Sequence, residues 1–285
     1  MFESISRSIG LIKESWKVLS LDKEILLFPV LSGIALLLVV ISFIVPALFI
    51  GFGSHDGASG IDGLLIVGIF LFYLLCYFVV IFFNTALITC ARIRLTGGDP
   101  TFMDGIHNAV GHIRQIFIWA IVSATIGLIL HALQNRSGLI GQVVIGLIGA
   151  AWSLVTYFVV PVMIFEEKGT WASIKESVQL FRKTWGESLV GQISISLIFM
   201  ILGVLGLAPL FIAVFTGSFG LVLPLLAVFI VWILILAVIG SALQGIYNTA
   251  LYLYASTGTV PTAFSKDAIE NAFAPKLVGG MRGNI

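Results

Sequence analysis

The chain has 285 residues, of which 59% are hydrophobic and 10% charged, and its mean hydropathy is +1.12. Soluble domains carry about 25% charged residues, so this composition excludes an ordinary soluble fold. Fifteen Lys and Arg against 14 Asp and Glu give no clustered positive excess, which excludes a nucleic-acid partner.

Residues 1–24 mix Arg7, Lys13, Lys17, Asp22, Lys23 and Glu24 with apolar positions, which is not the pattern of a cleavable secretory signal. Beyond them, uncharged stretches long enough to span a bilayer run Ile25–Phe52, Gly63–Ala91, Gln115–Leu133, Leu139–Phe165, Leu189–Phe215 and Leu221–Ala255. The last two are cut from one run, Ser188–Ser265, in which 78 residues pass without Asp, Glu, Lys, Arg or His. Charge at the bilayer centre costs several kcal/mol, so a run of this length marks membrane-embedded chain. The turn composition of Thr216-Gly217-Ser218-Phe219-Gly220 divides it. Cys76 and Cys90 fall in one apolar segment and read as small buried hydrophobes.

Six spans place the N-terminus, the 92–114 and 166–187 loops and the C-terminal tail on one side. That side then holds 14 of the 15 Lys and Arg residues, with Arg136 alone opposite. The positive-inside rule makes it cytoplasmic, so the expectation is a multi-pass protein of the cell membrane with both termini in the cytoplasm.

The segments entering the odd-numbered spans resemble one another. Ser4-Ile5-Ser6-Arg7-Ser8-Ile9-Gly10-Leu11-Ile12-Lys13-Glu14-Ser15-Trp16 aligns with Ser173-Ile174-Lys175-Glu176-Ser177-Val178-Gln179-Leu180-Phe181-Arg182-Lys183-Thr184-Trp185. A weaker copy is Ile106, Ala109, Val110, Ile113, Arg114 and Phe117. Their apolar residues recur at helical spacing and end in a basic–aromatic pair, which predicts amphipathic helices along the interface. Phe83-Asn84-Thr85-Ala86-Leu87 likewise matches Tyr247-Asn248-Thr249-Ala250-Leu251. The expected fold is all-α, one integral membrane domain over 1–285. It comprises three parallel repeats of interfacial helix plus helical hairpin, at about 1–91, 102–165 and 173–255, followed by a tail over 256–285.

Phe2–Trp16, Asp22–Gly33, Thr156–Val162 and Arg182–Glu187 together resemble a prokaryotic family of multi-span membrane proteins of unknown function. The resemblance covers nearly the whole chain and implies membership without an activity or a catalytic residue. More distantly, the chain is similar to the membrane portions attached to some glycerophosphodiester phosphodiesterases, although no phosphodiesterase catalytic domain is evident.

Among polar residues inside the spans, Gln244 and Asn248 are four apart on one helix face, and Asn84 is the repeat counterpart of Asn248. Two expectations follow for these candidate binding residues. Their amides either fix helix packing or line a polar cavity for a solute. The stripe Ala237, Ser241, Gly245, Thr249 favours packing, because small residues at this spacing let helices approach closely. No ionisable residue sits at the middle of any span, which disfavours a proton-coupled carrier and an intramembrane hydrolase. Asp99, Asp104, His107 and His112 match no metal motif, and no cofactor is expected. The leading expectation is therefore a non-enzymatic membrane component that contacts lipids or other membrane proteins. The alternative is a permeation or flip path for a neutral or amphipathic solute.

Overall fold

A computed structural model describes residues 13–53 and 61–258 of the chain. Residues 4–12 of the opening motif, the 54–60 loop and the tail beyond Gly258 lie outside the described residues. The described chain is all-α. Helix α1 covers 13–21 and leads through a 3-10 turn, Lys23–Leu26, into α2, Leu27–Gly53. There follow α3 (Ile61–Leu95), α4 (Phe102–Gly111), α5 (Ile113–Arg136), α6 (Leu139–Val155) and α7 (Val159–Phe165). The chain continues through α8 (Thr170–Gly206), α9 (Ala208–Phe215) and α10 (Phe219–Thr257).

Six stretches of helix among the described residues are long and apolar enough to cross a membrane: Lys23–Pro46, Ile66–Leu95, Ile113–Asn135, Leu139–Phe165, Ile195–Phe215 and Gly220–Thr257. Each overlaps one expected span. The protein is an integral, multi-pass membrane protein. Its outer faces agree, since large apolar side chains such as Leu139, Ile140 and Phe215 are more than 80% exposed. In a bilayer those faces meet lipid rather than water.

Proline divides two of the spans. Pro161 has no N–H, and in an unbroken helix its ring would strike the carbonyl of Tyr157. Helix α6 accordingly stops at Val155, and α7 restarts at Val159, which places Pro161 in a first turn where a missing donor is harmless. Pro209 similarly falls in the first turn of α9 and sets the joint at Leu207. There the Trp232 indole donates to the Leu202 carbonyl over 3.0 Å. Only glycine fits beside that ring, because a Cβ on Gly206 would lie 2.4 Å from Trp232 Cδ1.

The amphipathic segments differ from expectation in where they end. Residues 173–185 are helical but run on into the fifth span within the single 37-residue helix α8. The 104–117 segment is two helices meeting at His112, where the backbone leaves the helical region. Helix α4 is started by a capping box, in which Thr101 accepts from the Asp104 N–H and Asp104 accepts from the Thr101 N–H. Those bonds hold the Asp104 carboxyl below its usual range, the backbone bond from Thr101 first.

The charged end of the bundle is tied together by contacts between distant segments. Arg94, at the end of α3, forks onto Asp22 and also meets Asp99. Glu24 accepts from the Phe102 N–H at 3.0 Å, and Phe28 stacks on Phe102 with centroids 5.0 Å apart. Helix α4 packs on α3 at closest approach through Gly105. A Cβ there would lie 2.7 Å from the Ala86 carbonyl oxygen and 2.9 Å from Cys90 Sγ. Gly105→Ala is therefore expected to cost about 1–3 kcal/mol in detergent-solubilised unfolding, because a backbone oxygen cannot step aside. Gly111→Ala, which meets open space, is the matched control and should be close to neutral. Equal effects of the two would contradict this packing.

Candidate functional site

The third hairpin builds the site. Helices α8 and α10 run antiparallel with small residues at their seam. Gly203 faces Ile233, and Gly240 faces Phe199 with its nearest ring atom 3.4 Å from where a Cβ would stand. A groove of about 610 Å³ lies along this seam. Its walls are Ile195, Ser196 and Phe199 of α8 and Ile233, Leu236, Ala237, Gly240 and Ser241 of α10. Its inner end is closed by Asn84 of α3, by Tyr157 from the α6–α7 joint, and by Gln244, Gly245 and Asn248. Ser196, Ala237 and Ser241 are exposed, so the groove opens sideways rather than into the bundle.

All three sequence-predicted binding residues, Asn84, Gln244 and Asn248, line this one groove. Their level follows from helix rise. Asn84 precedes Arg92 by about 12 Å of helix, and Asn248 precedes Thr257 by about 14 Å. From Asn248 the groove runs about 22 Å further along α10 to Ile233, so it ends about 36 Å from Thr257 and passes the middle of a hydrocarbon core about 30 Å thick. It is polar at the end nearer the charged face and apolar at the far end.

The α6–α7 joint explains how the polar end is built. With Pro161 lacking an N–H, the Tyr157 carbonyl has no helical donor. Asn248 Nδ2 donates to it over 3.2 Å, across 91 residues of sequence. Ser177 of α8 serves the same joint twice, accepting from the Phe158 N–H at 3.0 Å and donating to the Val155 carbonyl at 2.7 Å. Asn248 thus packs helices and lines the groove at once. The small-residue stripe divides in the same way. Ala237 and Ser241 line the groove, and Gly245, at its inner end, also lets α10 close on α3, its missing Cβ lying 2.3 Å from Leu87 Cδ2.

Hydroxyls elsewhere in the spans serve their own helices. Thr125 donates to the Ile121 carbonyl, and Thr156 to that of Trp152. The side chains of Gln192 and Ser194 lie outside the described residues. Asp99 meets Arg94, Asp104 caps α4, and His112 Nδ1 lies 2.8 Å from the Asn108 carbonyl oxygen. Among the described residues, no three His, Cys, Asp or Glu side chains gather as metal ligands.

A smaller hollow of about 380 Å³ sits at the charged end, lined by Arg92, Phe165, Glu166, Glu176 and Tyr252 with the last turn of α10. Arg92 lies 4.4 Å over the Phe165 ring. Tyr252 donates to Glu166 at 2.7 Å, and Lys168 joins Glu166 to Glu176 at 2.7 and 3.0 Å. Burial pushes the Glu166 carboxyl up, but the hydrogen bonds from Lys168 and Tyr252 together outweigh it and hold it below its ordinary value. The Lys168 ammonium is held up, first by Glu166 and then by Glu176. These charges are consumed in fastening α7, α8 and α10 to each other.

A search of curated proteins finds no match to this sequence. A family model, described as a family of unknown function, DUF6159, matches residues 62–262, which is more than two-thirds of the chain and includes every residue of the groove. The chain therefore belongs to the DUF6159 family.

Proposed function

We propose that the protein is a non-enzymatic membrane component that holds an amphipathic, membrane-dissolved molecule in the lateral groove between α8 and α10. The observation that carries this reading is the groove's polarity gradient: three amides and a phenol at one end, Phe199, Ile233 and Leu236 along the other, and an opening toward lipid. A molecule with a small polar head and an extended apolar part has this same gradient. Holding suits Asn248 better than conduction does, since its Nδ2 is already engaged with the Tyr157 carbonyl.

In this reading the basic end of the bundle is cytoplasmic, from the Lys and Arg distribution. The chain is built as three parallel repeats. In support, the small pairs Gly105/Ala109 and Ser173/Ser177 occupy matching motif positions and are all buried. Thr85 and Thr249, at matching positions of α3 and α10, are both buried as well.

Native mass spectrometry of protein extracted in mild detergent tests the groove. Wild-type protein should retain an amphipathic molecule at about one per chain. Ala237→Phe, which adds a ring at an exposed position of the wall, should release it while the thermal transition is kept. Equal retention by Ala237→Phe, or no retained molecule, would overturn the reading.

A further inference from the structure

The inner end of the groove holds two buried polar atoms that no protein group serves: the Tyr157 hydroxyl and Asn248 Oδ1. The Asn248 amide cannot turn to relieve this. Its other atom, Nδ2, is the one that must face the Tyr157 carbonyl, because only the NH₂ group can donate. A buried unpaired acceptor and a buried unpaired hydroxyl are each costly and rare, more so at membrane depth. Asn84, Gln244, Ser196 and Ser241 surround them with further groups that donate and accept.

No Lys, Arg, His, Asp or Glu lines this groove among the described residues. A phosphate entering it would leave water without a counter-charge, at a cost far above what neutral hydrogen bonds return. An ammonium would satisfy Oδ1 but meets the same cost. An ester carbonyl could accept from Tyr157 but has nothing to give Oδ1. A hydroxyl has both capacities: it can donate, as Asn248 Oδ1 requires, and accept, as the Tyr157 O–H requires.

Resting on the groove reading above, we propose that the ligand class is a lipid with an uncharged, hydroxyl-bearing headgroup. The headgroup seats against Tyr157 and Asn248, and the chain lies along Phe199, Leu236 and Ile233. A diacylglycerol has this chemistry, whereas a phosphatidic acid of the same acyl chains differs only by the charged phosphate.

The test uses the full chain in nanodiscs and two photoreactive lipids, a diacylglycerol and a phosphatidic acid with identical acyl chains. Adducts are mapped by mass spectrometry to residues 195–199 and 233–248. The diacylglycerol probe should label these segments at least about tenfold more than the phosphatidic acid probe. Tyr157→Phe removes one unpartnered oxygen and keeps the ring against Phe158, whose centroid lies 4.9 Å away, so folding should be unchanged. That variant should lower diacylglycerol labelling about five- to tenfold. A thermal transition matching wild type confirms that the loss is local. Should Tyr157→Phe unfold, Ser241→Ala at the exposed wall provides a second removal of a hydroxyl, with a smaller loss of labelling expected. Equal labelling by the two lipids, or diacylglycerol labelling indifferent to these substitutions, overturns the headgroup assignment and leaves the groove standing. Absence of adducts in both segments with both probes overturns the assignment and the groove reading together.

Discussion

Arg94→Ala is expected to destabilise the protein by about 2–3 kcal/mol, measured by denaturation in mixed micelles. The guanidinium reaches Asp22 through two nitrogens, Nη2 standing 2.6 Å from Oδ1. The Asp22 side chain is only 10% exposed, so removing the cation leaves a carboxylate that is largely desolvated and unpaired. Breaking a fully buried pair in this way costs about 3–5 kcal/mol. Arg94 is 21% exposed, which places this pair below that range. Asp99 shares the same guanidinium but is 90% exposed, so Asp99→Ala should stay within about 0.5 kcal/mol. Arg94→Lys should recover part of the loss, since it returns the charge but not the fork. Equal losses from Arg94→Ala and Asp99→Ala would show that Asp22 is not the partner that matters. The pair has architectural weight because it locks the entrance of the first span to the exit of the second.

The spans were legible because the bilayer filters composition over about 20 residues at a time, and a window of that size averages out local detail. Span ends and breaks were less so. The apolar period of 173–185 reports a helix with two faces, whether that helix stands alone or continues. Here nothing between Trp185 and Ile195 stops it, so α8 runs on. The equivalent stretch at 104–117 carries Gly111 and His112 and does stop. Pro161 marks a break in the fourth span, yet no local rule names its remedy. Asn248 and Ser177 come from other helices, and only tertiary packing brings them to the joint. The three amides stood out because amides are scarce in apolar helices. Tyr157 did not, since an aromatic in a span is ordinary. The available signal was its position four residues before Pro161, where its carbonyl loses its helical donor.

Ser177→Ala should cost about 2–4 kcal/mol, a large effect for the loss of one oxygen. That oxygen accepts from the Phe158 N–H and donates to the Val155 carbonyl, at the point where neither has a partner within its own helix. Ser177 and Phe158 are fully buried, so water cannot replace it, and each orphaned backbone group costs about 1–3 kcal/mol. The neighbouring motif serine separates this from generic packing. Ser173 is equally buried, but it donates to the Gly169 carbonyl, which already accepts from the Ser173 N–H. Ser173→Ala otherwise loses only a long 3.4 Å contact to the Lys168 carbonyl, in the partly exposed turn before α8, and should cost under about 1 kcal/mol. Asn248→Leu, which strips only the Tyr157 carbonyl, should fall between them at about 1–2 kcal/mol. Combining it with Pro161→Ala should shrink that cost, because alanine supplies an N–H able to reach the same carbonyl. Ser177→Ala should also weaken lipid retention, since the joint it holds is the one that presents Tyr157 to the groove. Equal losses of stability from Ser177→Ala and Ser173→Ala would remove Ser177 from that role, and the inner end of the groove would need another explanation for its position.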